Sequence, residues 1–115
     1  MEKILNLTPH AVRVVNNEGT LVREFPSSGS TIRLQQTTVE VGNADGVRLT
    51  HSQYGAPVLV TPDGDQPLPE QKEGRFYIVS AMVKSALPER EDMLVPAEQV
   101  RNDQGQIIGC KSLGI

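Results

Sequence analysis

Apolar residues in this chain recur at every second position in short bursts, and only one stretch has the spacing and cap signals of a helix. Val12-Arg13-Val14-Val15 and Leu21-Val22-Arg23-Glu24-Phe25 flank the turn Asn16-Asn17-Glu18-Gly19, which predicts a β-hairpin. A strand from Thr31 to Val41 alternates through Ile32, Leu34, Thr37, Val39 and Val41, turns over residues 42–46, and returns along Val47-Arg48-Leu49-Thr50 as a second hairpin. Val58-Leu59-Val60 is a short apolar run. The stretch 61–74, with Pro62, Pro67 and Pro69, has no period and predicts the longest exposed loop of the chain.

Arg75-Phe76-Tyr77-Ile78-Val79 is the strongest strand signal. Behind it, Ser80 is placed to cap a helix over about 80–87, which Pro88 stops. Met93-Leu94-Val95-Pro96 resumes an extended path, and Val100-Arg101 with Gln106-Ile107-Ile108-Gly109-Cys110 predicts a third hairpin. The expected fold is a mostly β member of the α+β class. It is a small twisted antiparallel sheet or open barrel of hairpins with one short helix, in a single domain over residues 1–115.

Composition narrows the function. With 18 Gly and Pro among 115 residues the chain is rich in turns, and a formal charge of −3 lacks the basic footprint of a duplex nucleic-acid binder. Aromatics are 3% of residues, too few for a base-stacking platform within one copy. The start Met1-Glu2-Lys3-Ile4 does not read as a secretion leader and no apolar run reaches membrane length. A soluble protein without membrane partners is therefore expected in the cytoplasm. Cys110 is the single cysteine and His10 and His51 are the only histidines, so neither a disulfide nor a metal site is expected.

Three triplets share one form: Val12-Arg13-Val14, Ile32-Arg33-Leu34 and Val47-Arg48-Leu49. Strand alternation turns the apolar flanks toward a core and each arginine the other way, so neighbouring strands would gather the three on one face. Seven arginines outnumber four lysines, and the guanidinium fork suits phosphate. The bland counterpart is a solvated face paired with Glu24 and Glu40. Ser80 would offer amide donors at a helix start, Tyr77 an aromatic face beside it, and Arg90 and Asp92 a charged pair after the helix. His10 sits in a constrained loop beside Thr8. None of these has the spacing of a nucleophile–base pair, and no phosphate-loop, Rossmann or nucleophile-elbow motif occurs, so no catalytic residues and no cofactor are assigned.

Asn6-Leu7-Thr8-Pro9-His10-Ala11-Val12, Tyr77-Ile78-Val79-Ser80, the run from Pro88 to Pro96, and Val100-Arg101 through Gly105 to Cys110 together resemble a family of short proteins common in phages and prophages. The resemblance covers nearly the whole chain. Phage proteins of this size without an enzyme motif include sponges that sequester nucleotide signals of bacterial immunity, such as the cyclic ADP-ribose species of Thoeris systems or cyclic oligonucleotides. The expectation is therefore an anti-defence protein of the infected host cytoplasm. It would be a homo-oligomer holding a small nucleotide-derived ligand without turnover, through His10, Arg13, Arg33, Arg48, Tyr77, Ser80, Arg90 and Asp92. The alternatives are a virion or assembly accessory protein binding an acidic partner, and a phosphodiesterase-like enzyme acting on the signal.

Overall fold

The computed structural model describes residues 3–115; Met1 and Glu2 of the leader reading lie outside them. Nine strands and one helix follow in the described residues: β1 (Lys3–Asn6), β2 (Val12–Val15), β3 (Leu21–Phe25), β4 (Thr31–Ala44), β5 (Val47–Thr61), β6 (Gly64–Gln66), β7 (Arg75–Ile78), α1 (Ala81–Ala86), β8 (Met93–Arg101) and β9 (Ile107–Gly114). The mostly β class with one short helix holds. The all-antiparallel expectation does not: β1, β7, β8, β9, β2 and β3 form a mixed six-stranded sheet in that order, and β4, β5 and β6 form a second, antiparallel one.

Parallel pairing enters where chain segments meet that no hairpin joins. Strand β7 runs parallel to both β1 and β8, and β9 runs parallel to β2. The β7–β8 pair follows from α1, because a helical crossover carries the chain back to the end it left and the next strand must point the same way. A strand flanked by parallel neighbours is covered on both faces, which explains the unbroken apolar run Phe76-Tyr77-Ile78-Val79. Tyr77 and Val79 enter one core with Leu7, Ile32, Val83, Leu87 and Met93. Ile78, on the opposite side, enters another with Val12, Phe25 and Cys110. Ile78, Val79 and Met93 have no exposed surface, and burial of each is worth about 1.5–3 kcal/mol.

Ser80 caps α1 as its sequence predicts: the Val83 amide donates to its hydroxyl oxygen at 3.3 Å. The helix packs on the roots of β4 and β5 and on β8. The two end strands of the mixed sheet are drawn together by Asn6, whose Nδ2 donates to the Phe25 carbonyl at 2.9 Å.

The second hairpin is far longer than its sequence indicates. Strands β4 and β5 pair from Thr31↔Val60 out to Ala44↔Val47, around an Asp45-Gly46 turn with φ of 51° and 76°, the two-residue hairpin turn that suits strand twist. Pro57 does not end β5, because a register shift between Leu34 and Gln36 lies beside it; a residue without an amide proton is tolerated at such irregularities. The hairpin projects from the body as an arm. The radius of gyration is 17.0 Å, against roughly 13 Å for a compact chain of this length.

Candidate functional site

The Asn-Leu-Thr-Pro-His segment is a closed hydrogen-bond box. Asn6 is 2% exposed. Its Nδ2 donates to the carbonyls of His10 (2.8 Å) and Phe25 (2.9 Å), and its Oδ1 accepts from the Thr8 amide at 3.0 Å. The Thr8 hydroxyl lies 2.6 Å from that Oδ1. A buried amide must satisfy both ends, and only Asn at this position matches two carbonyls and an amide together. His10 contributes its backbone carbonyl to the box, while the residue itself is exposed.

Arg90 and Asp92 form the one ion pair among the described residues. Nε and Nη2 of Arg90 meet the two Asp92 oxygens at 2.9 and 2.7 Å, and Nη2 also donates to the Pro69 carbonyl at 2.9 Å. Asp92 holds the guanidinium charged, raising Arg90 above its ordinary value against the opposing effect of burial. The pair thus fastens the 61–74 segment to the β7–α1–β8 unit. That segment is not a plain loop, since β6 within it pairs with β5 and both Leu68 and Pro69 are half-buried.

The three triplet arginines do not gather in one chain. Arg13 sits opposite Glu24 on β2 and lines a cleft with Ile107 and Ile108. Arg33 lies at the root of the arm and Arg48 near its tip. The ten positions from Arg33 to Asn43, which faces Arg48, span about 30 Å at strand rise. Nor do all the flanking apolars enter a core: Val12 and Ile32 are buried, whereas Val47 and Leu49 are 59% and 44% exposed.

What the fold does bring together is at the arm's root. A cleft of about 450 Å³ is lined by Thr8 and Pro9 from the box, Arg33, Leu34 and Gln36 from β4, Tyr54 from β5, and Ser80, Met82 and Val83 from the start of α1. Arg33 has no carboxylate partner there. Tyr54 and Met82 are 51% and 50% exposed, so an aromatic ring and a thioether stand open beside a free guanidinium. Gln36 pairs with Tyr54 across the strands and donates to the Ser52 hydroxyl at 3.1 Å. Tyr54, Gln36 and Thr8 were not among the site residues expected from the sequence. The Arg33–Tyr54 meeting depends on β5 continuing past Pro57.

Tyr77 is buried and lines a second cleft, of about 360 Å³, which shares Leu7 with the first. Lys3 and Arg75, register partners on β1 and β7, both line that cleft together with Ser28 and Ser30. Among the described residues no three His, Cys, Asp or Glu side chains converge on a common point, and no helix is long and apolar enough to cross a membrane. Comparison with protein families, curated proteins and solved structures finds no match for this chain.

Proposed function

We propose that this chain binds a small phosphorylated, nucleotide-derived ligand in the arm-root cleft and acts by holding it, without turnover, in the cytoplasm of a phage-infected cell. The observation that carries the reading is the meeting of Arg33 and Tyr54 in one open cleft. Its volume falls within the roughly 300–1,000 Å³ of small-molecule sites. The guanidinium fork of Arg33 suits a phosphate. The ring of Tyr54, with Met82, offers an apolar face for a base, and Thr8, Gln36 and Ser80 supply polar groups for ribose and base edges. Sequestration needs no nucleophile, base or metal. In the same reading the curled six-stranded sheet is a small open barrel that Asn6 draws closed at one end.

Isothermal titration with ADP-ribose, cyclic ADP-ribose and cyclic dinucleotides tests this. Micromolar or tighter binding is expected for at least one, weakened about tenfold to a hundredfold in Arg33→Ala through loss of a charge-assisted contact. No heat with any of them overturns the reading. The alternative of an assembly protein with an acidic partner rests on Lys3 and Arg75, two cations in register beside the second cleft. Copurification with phage particles, together with indifference to nucleotides, would favour it.

A further inference from the structure

Arg23 is a cation on the apolar side of its strand. It shares a face of β3 with Phe25 and pairs in register with Val14, as Phe25 does with Val12. Phe25 and Val12 are buried together, and Val14 packs against them. The Arg23 guanidinium lies over the Phe25 ring, 4.9 Å from its centroid, a contact that holds the charge in place without neutralising it. Beside it opens a cleft of about 980 Å³ to which β1, β3, β7, β8 and β9 all contribute. Strands β1 and β3 are the two ends of the six-stranded sheet. They border one cleft only because the sheet curls, so the cleft lies within the curl. Ile4, Phe76, Leu94 and Leu113 line it, and Ile4 and Leu113 pack on the same core as Phe25.

Three cations, Lys3, Arg23 and Arg75, line this cleft against one acidic side chain, Glu73, and none of the three is in an ion pair among the described residues. Positive charge in excess beside apolar surface draws an anion more strongly than the same charge in open water. No hydroxyl, amide or imidazole side chain is in the lining, so a sugar or base brought here would leave its polar groups unmet. A hydrocarbon body has none to leave. We infer that the cleft binds a single-chain amphiphile with an anionic head, a carboxylate or phosphate carried on a hydrocarbon tail. The head pairs with Arg23, flanked by Lys3 and Arg75, and the tail covers Ile4, Phe76, Leu94 and Leu113. The volume is at the upper end of the roughly 300–1,000 Å³ of small-molecule sites. Lys3 and Arg75 also border the second cleft but Arg23 does not, which makes Arg23 the discriminating residue. The arm-root cleft shares no lining residue with this one, so the two proposals fail separately.

Isothermal titration with decanoate and with decyl phosphate, each kept below the concentration at which it forms micelles, tests the inference. A Kd of about 10–100 μM is expected for at least one of them, and the tighter of the two names the head group. Decyl maltoside has the same tail without the charge, and inorganic phosphate has the charge without the tail; each is expected to bind weaker by about tenfold or more. Arg23→Gln is expected to weaken binding of the anionic amphiphile about tenfold. Methyl NMR of the unsubstituted protein gives a readout that does not depend on the variant folding. Addition of the tighter ligand is expected to shift Ile4, Leu94 and Leu113 while Leu34 and Val83 of the arm-root cleft stay in place. Binding of neither anion, equal affinity for decyl maltoside, unchanged affinity in Arg23→Gln, or methyl shifts confined to other residues each overturns it.

Discussion

Arg90 embraces Asp92, two residues along the chain, through two bonds of 2.9 and 2.7 Å, and the same guanidinium reaches across to the Pro69 carbonyl. Asp92 is 3% exposed, so removing one partner leaves a buried charge unmatched. Arg90→Ala, which strands the Asp92 carboxylate and releases the Pro69 carbonyl, is expected to cost about 3 kcal/mol in urea unfolding and to speed proteolysis within 61–74. A loss below about 1 kcal/mol would show that the pair does not fasten that segment.

Asn6→Asp places a carboxylate oxygen where Nδ2 now donates to two carbonyls. Two acceptors lose their donor and face a negative charge instead. The expected loss is about 2–4 kcal/mol, read by thermal or chemical unfolding, with Asn6→Ala less severe than Asn6→Asp. The reverse order would contradict the donor assignment.

Gly109 lies where β9 passes close against β2. A Cβ there would meet the Arg13 carbonyl oxygen at 3.1 Å and the Val15 side chain at 3.4 Å, and a strand carbonyl yields less cheaply than a flexible side chain. Gly109→Ala is expected to destabilise by about 1–3 kcal/mol, and a neutral result would mean that the strands part without penalty.

Burial raises the Cys110 thiol above its ordinary 9.0. The folded state favours the protonated form, so its contribution to stability is intact below about pH 9 and is lost as pH rises toward the folded value. Unfolding free energy measured from pH 7 to 10.5 is expected to fall more steeply for the natural protein than for Cys110→Ala. Parallel curves would remove the thiol from the account.

The elements legible in the sequence are those set by local chemistry. The Asn16–Gly19 turn between β2 and β3, the Ser80 cap, the Pro88 stop and the β8–β9 hairpin all follow from residues within a few positions of one another. Long-range pairing was not legible. The parallel β1–β7 contact brings Lys3 to Arg75 across some seventy residues, with no turn between them to announce it. Pro57 reads as a break and is carried by an irregularity that only the partner strand reveals. The triplet pattern placed Val12 and Ile32 correctly in cores but could not show that Val47 and Leu49 ride on an arm beyond them. Of the expected site, Arg33 and Ser80 share a cleft. Arg90 and Asp92 are consumed by each other, and Arg13 and Arg48 stand elsewhere.

The most direct test of the binding account is to purify the protein from cells producing a nucleotide immune signal, denature it with heat, and weigh what is released by mass spectrometry. The account predicts an intact phosphorylated nucleotide from the natural protein and little from Arg33→Ala. Release of no nucleotide, or of a cleaved product, would contradict it.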